Sequence, residues 1–170
     1  MRRPLLITFV AIVGLGLGSA LALFEPWRAF TNTTVEESAP AVPSPKAGAV
    51  EVRTTVLARG RLISHEHETS GTVTILRLPD GSRILRIEDL KTSDGPDVRV
   101  WLTNAPVIAG TSGWRVFDDD KHVELGPLKG NLGSQNYPVP EDADLTTLTS
   151  VSIWCARFHV SFGAAELTAV

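Results

Sequence analysis

The sequence predicts an all-β domain, a β-sandwich or small barrel of short strands, preceded by an N-terminal transmembrane helix and a proline-rich linker. Three observations lead there. From Val50 onward, short β-branched and aliphatic runs are separated by turn residues, with no amphipathic helix of useful length between them. Residues 5–24 carry no charge at all. Residues 25–49 hold Pro26, Pro40, Pro43 and Pro45 among Ser, Thr, Ala and Glu, without sustained apolar periodicity.

The 170 residues leave room for one domain, since single cores usually belong to units of about 100 to 150 residues. Formal net charge is -3, and from Glu51 onward sixteen Asp and Glu intersperse with twelve Lys and Arg. Phosphate neutralisation needs clustered cations, so nucleic acid is excluded as a partner class. A single cysteine, Cys155, allows no disulfide within the chain.

Taken in order, residues 1–4 form a short tip bearing Arg2 and Arg3. Leu5 to Phe24 follows, with Thr8 and Ser19 its polar side chains; twenty residues at 1.5 Å rise span about 30 Å, the thickness of a bilayer core. Arginines before the run and Glu25 after it place the tip in the cytoplasm and the rest of the chain across the membrane. Ala20-Leu21-Ala22 would suit a signal-peptide cleavage site, but the run outlasts the usual signal core of about 7 to 15 residues, which favours an uncleaved anchor. Gly14 to Gly18 contains a GxxxG spacing, and small residues are common in any such helix. The linker, residues 25–49, is expected to be extended and to hold the domain off the membrane.

The domain, residues 50–170, opens with Val50-Glu51-Val52, then Gly60 to Ile63 and Thr72 to Leu78. Pro79-Asp80-Gly81 supplies a turn before Arg83 to Ile87, predicting a hairpin. Asp97 to Leu102 alternates, placing Val98, Val100 and Leu102 on one face. Residues 103–150, rich in Gly and Pro, read as loops and short strands. The last strand is expected over Val151 to Phe162, with Trp154, Ala156, Phe158, Val160 and Phe162 toward the core. Cys155, Arg157 and His159 then share the other face, about 7 Å apart.

Candidate chemistry gathers at two places. A neighbouring cation favours the thiolate, so Cys155 between Arg157 and His159 would be reactive; the competing reading is a cysteine filling the core, and the residues alone favour that one. In Ser64-His65-Glu66-His67-Glu68, His65 and His67 on a strand would point one way and could bind a metal. Two imidazoles make an incomplete site, so solvated surface is preferred unless Cys155 or His159 joins them. Asp118-Asp119-Asp120 lacks the spaced ligands of a calcium loop. No phosphate-binding glycine loop, nucleophile elbow or Ser-His-Asp set is visible, which disfavours a hydrolase.

A spread of ordered motifs runs from Arg59 to Leu167. It begins with Gly60-Arg61-Leu62 and His67-Glu68-Thr69-Ser70-Gly71 and continues through Leu85 to Leu90, Gly95-Pro96-Asp97 and Val100-Trp101-Leu102. Leu125-Gly126-Pro127-Leu128-Lys129-Gly130-Asn131-Leu132-Gly133-Ser134-Gln135-Asn136-Tyr137, then Val151 to Cys155 and Phe158 to Gly163, complete it. Together these resemble the DM-thirteen, or electron-transfer DM, domain. The resemblance implies extracytoplasmic electron transfer with a redox partner protein, and a cysteine that is a naked thiol or a ligand to a metal ion or haem. That cysteine corresponds to Cys155, with His67 and His159 as helpers, and the resemblance tips the balance toward function. Whether any cofactor is bound stays open. The alternative is a binding or cell-envelope module with a structural Cys155, meeting its partner through Gly130 to Tyr137 or His65 to Glu68.

Overall fold

In the computed structural model, which describes residues 12–16, 18–19, 21–22, 24–25, 27–28, 31–40, 54–119 and 121–170, turn chemistry after Leu78 closes the expected hairpin. β4 (Ser70–Arg77) and β5 (Arg83–Lys91) run antiparallel, with Val73 opposite Ile87 and Ile75 opposite Leu85. Asp80 Oδ1 accepts the Ser82 backbone N–H at 2.9 Å. Gly81 takes φ 89°, which costs a glycine no Cβ clash.

This hairpin is the centre of one sheet. β8 (Leu132–Val139) flanks β5, while β2 (Thr55–Arg61) and β11 (Thr168–Ala169) continue beyond β4. The second sheet is ordered β3 (Ile63–Ser64), β10 (Val160–Glu166), β9 (Ser150–Cys155), β6 (Val98–Thr103), β7 (His122–Pro127). Val73, Ile75, Leu85 and Ile87 from the first sheet share one core with Val98, Val100, Leu102, Val151 and Ile153 from the second. Two facing sheets make this a sandwich rather than a barrel. Each fully buried aliphatic side chain there contributes about 1.5 to 3 kcal/mol.

A second, smaller core lies on the outer face of the β9 sheet. Trp101, Trp154, Phe117, Ala105 and Ala164 pack there. That sheet is thus buried on both sides, and β9 is buried at every position. The expected alternation across residues 151–162 is corrected accordingly. Val151, Ile153 and Cys155 face the main core, while Trp154 faces the outer one.

The strand is also not continuous. β9 stops at Cys155, residues 156–159 turn, and β10 returns with Val160 opposite Cys155 and Ser161 opposite Trp154. His159 absorbs the reversal at φ 51°, a region His enters more readily than most residues. Arg115 Nη1 holds the turn by donating to the Phe158 and His159 carbonyls at 3.3 and 3.2 Å. Phe158 and Arg157 are therefore exposed at a turn, not on strand faces.

The N-terminal expectations meet the structure only in part. Residues 1–11, with Arg2 and Arg3, lie outside the described residues. Among those described, residues 12–16, 18–19, 21–22 and 24 are helical, and no helix is long and apolar enough to cross a membrane. Within the expected linker, β1 (Thr34–Glu36) pairs in parallel with β8, Val35 opposite Gly133. The described part of that segment is docked, not a free spacer. The rest of the expected linker, residues 41–49, and the start of the expected domain, residues 50–53, lie outside the described residues.

Candidate functional site

Cys155 ends β9 at the centre of its sheet, flanked by Val98 on β6 and Val160 on β10. The residue is 0% exposed and belongs to the main core. Burial pushes its thiol pKa up; backbone hydrogen bonds from Phe158, Arg157 and Asp97 offset part of the rise, and the charge of Asp97 adds to it. A protonated sulfur closed to water cannot act as a nucleophile or exchange disulfides, since both reactions need the thiolate in contact with its target.

The expected helpers sit elsewhere. Trp154 and Cys155 are successive strand residues and project to opposite faces. The His159 ring lies edge-on to Trp154, centroids 6.5 Å apart, and its Nδ1 is 2.8 Å from Asp118 Oδ2 at the surface. His159 thus keeps to the Trp154 side. Asp118 is the described acidic residue that engages it, and Asp120 lies outside the described residues.

His65 and His67 do not share a direction, because the strand ends at Ser64 and residues 65–67 form a bend. His65 turns inward: it is buried, its ring lies 5.8 Å from Phe117, and its Nδ1 is 2.9 Å from Ser161 Oγ. Burial lowers its pKa, and the Ile108 backbone, favouring the charged ring, opposes this. His67 turns the other way, its ring 3.9 Å from that of Phe162 and its Nε2 2.6 Å from Glu66 Oε2. Among the described residues no three His, Cys, Asp or Glu side chains gather to hold a metal. With its sulfur sealed and each imidazole engaged elsewhere, the donor set does not fit a metal or haem iron held by Cys155, His67 and His159.

Three features escape a reading of the sequence. Trp101 and Trp154 stack with centroids 5.1 Å apart, and His122 lies on Trp101 at 3.9 Å, so rings from three strands and the turn form a row across the outer face. Nothing in the local pattern pairs them. A groove of about 540 Å³ is lined by His67, Trp114, Phe158 and Phe162, and Phe24 and Glu25 form part of its wall. Third, the Gly130 to Tyr137 segment receives β1 rather than presenting a free surface. A Cβ on Gly130 would stand 2.5 Å from the Thr33 carbonyl oxygen, and one on Gly133 2.2 Å from that of Val35. Buried Asn131 accepts the Thr33 N–H at 2.7 Å and donates to Asn32 Oδ1 at 2.8 Å.

A family model described as electron transfer DM13 matches residues 61–167. No curated protein and no solved structure matches the chain. β1 lies outside the matched range, although the matched Gly130 to Asn136 stretch holds it.

Proposed function

The chain belongs to the electron transfer DM13 family, and on that footing we propose that it is a membrane-anchored, extracytoplasmic module that exchanges single electrons with a redox partner protein. The anchor is the uncharged run from Leu5 to Phe24, with Arg2 and Arg3 on the cytoplasmic side. Cys155 is the redox group. One electron leaves its sulfur for a one-electron acceptor protein and the thiol proton is released to solvent as the adjoining 156–159 turn opens, leaving a thiyl radical that one electron and one proton restore; the Asp97 carboxylate is held by Arg99 at 2.8 Å.

The observation that carries this reading is the setting of the chain's one cysteine. Burial bars chemistry that needs contact with the sulfur, but loss of an electron needs none. The residue before it, Trp154, stacks with Trp101 and leads toward the surface imidazole of His159. Voltammetry of the full chain in detergent or lipid tests it, beside maleimide labelling, metal analysis and a visible spectrum. The expected result is a redox wave from wild type that Cys155→Ala loses, with no labelling of the folded protein. A wild-type chain without a wave would end the proposal.

A second reading is a non-catalytic envelope module in which Cys155 only fills the core. The sealed sulfur and its raised pKa favour it. A wave that persists unchanged in Cys155→Ala, or no wave at all, is what it expects.

A further inference from the structure

The segment expected to hold the domain away from the bilayer is fastened to the domain from the point where the apolar run ends. Phe24, its last residue, stacks on Phe158 with centroids 5.9 Å apart and planes 5° from parallel. Arg28 then pairs with Glu25 at 2.7 Å, donates to the Gly95 carbonyl at 3.2 Å and lies 3.5 Å from Asp94. Thr31 Oγ1 donates to Asp94 Oδ2 at 3.1 Å, Asn32 and Thr33 bond to Asn131, and β1 enters the sheet. No stretch of the described chain between Phe24 and β1 is left over to act as a stalk.

We infer that the domain rests on the membrane surface through the end that carries the 156–159 turn, with Phe158 in the lipid interface beside Phe24 and Trp27. This rests on the reading of residues 5–24 as a membrane anchor. If the run crosses the bilayer, Phe24 stands at its boundary, and whatever touches Phe24 stands there too. The exposures agree: Phe24 is 52%, Trp27 50% and Phe158 40% exposed, large aromatic surface concentrated where the chain would leave the lipid. Aromatic side chains favour that layer, which offers an apolar side to the ring and water to its polar atoms.

The charges name the kind of surface. Glu25, Glu66 and Asp94 line the groove beside Phe158, and Arg115 is the cation among its lining residues. Arg28 pairs with both Glu25 and Asp94, and Arg157 is exposed on the same turn, so neither sign of charge prevails at this end; the contact is apolar insertion into a zwitterionic interface and is insensitive to salt. It also aims one end of β9 at the membrane. The Asp144 to Thr149 loop, which precedes β9, lies about 20 Å away along the strand.

The test uses the full chain in phosphatidylcholine vesicles with the photo-crosslinking residue p-benzoyl-phenylalanine placed at Phe158, or at Thr146 as the distal control. Replacing one exposed ring by another leaves the core untouched. The expected result is a lipid adduct from position 158 and none from 146, unchanged at high salt, in a chain that resists alkaline carbonate extraction. A carbonate-resistant chain with no adduct at 158, or with equal adducts at both positions, overturns the docking while the anchor stands. A chain that carbonate releases overturns the anchor, and the docking with it.

Discussion

His65 Nδ1 lies 2.9 Å from Ser161 Oγ in a buried site, and Ser161 is itself 3.1 Å from both Ser152 Oγ and the Gly163 carbonyl. An imidazole, two hydroxyls and a backbone carbonyl thus form a polar chain beside Phe117, on the sheet face that also carries Trp101 and Trp154. His65 Nε2, on the other side of the ring, is buried with no hydrogen-bond partner among the described residues, so the chain is stable only while the ring is neutral.

The pH dependence follows from that site. Burial depresses the folded pKa of His65 below its ordinary 6.5. The unfolded chain therefore takes up the proton first, so the stability from the neutral ring is complete above 6.5 and is lost as pH falls below it toward the folded value. Urea unfolding at pH 7 and pH 5 should show the acid loss in wild type and a smaller one in His65→Leu. An equal loss in both would place the acid sensitivity elsewhere.

Ser161→Ala removes the partner of a buried ring and should cost about 1 to 3 kcal/mol at neutral pH. Unfolding free energy from urea titration measures it. A neutral effect would mean that water or the Ile108 carbonyl replaces the hydroxyl.

The indole pair should matter more than any exposed contact. Trp154→Ala opens a cavity in the outer core and removes the stack with Trp101, a loss of about 3 to 5 kcal/mol for a buried aromatic. Trp154→Phe keeps most of the volume and should cost less. Chemical denaturation of both variants ranks them, and a reversed order would contradict the packing.

Much of this was legible in the sequence, and the reasons for the rest are local. The β4–β5 hairpin showed because Pro79-Asp80-Gly81 interrupts two strand-period runs. The inward row of Val98, Val100 and Leu102 showed because alternation survives where the other face differs in chemistry. In β9 it did not survive: that strand is buried on both faces, so Trp154 and Cys155 look equally suited to a core, and their faces were read in reverse. The 156–159 turn carries neither Gly nor Pro, and only the fold places His159 at positive φ. β1 pairs mainly through its backbone, for which Thr34-Val35-Glu36 between prolines leaves no pattern. The electron-transfer resemblance lay in spaced motifs and the family match bears it out, but the surroundings of the Cys155 sulfur are a property of three dimensions alone.

Gly133→Ala tests whether β1 is part of the domain. Gly133 has φ 95°, and a Cβ there would meet the Val35 carbonyl oxygen at 2.2 Å, so alanine brings both backbone strain and a clash with β1. Strain of this kind costs about 1 to 3 kcal/mol. The variant should unfold at lower urea, and the Thr34 to Glu36 amides should exchange with solvent far faster than those of β4. Wild-type exchange at β1 would mean the neighbouring strand gives way instead.

Asp94→Ala separates local fastening from global stability. Asp94 receives Thr31 Oγ1 and the Arg28 guanidinium, both partly exposed contacts, and surface ion pairs contribute about 0 to 1 kcal/mol. The core does not depend on them, so the urea midpoint should barely move. The segment from Phe24 to Thr33 loses two of its fastenings, and among the described residues the Phe24–Phe158 stack, the Arg28 bond to the Gly95 carbonyl and the contacts of Thr33 with Asn131 and Leu132 still hold it. A local loss of about 1 kcal/mol would raise amide exchange in that segment about five-fold while β4 and β9 stay protected. If exchange rises equally in the segment and the core, the segment is an inseparable part of the folding unit. If it rises nowhere, the remaining contacts hold the chain against the domain without Asp94.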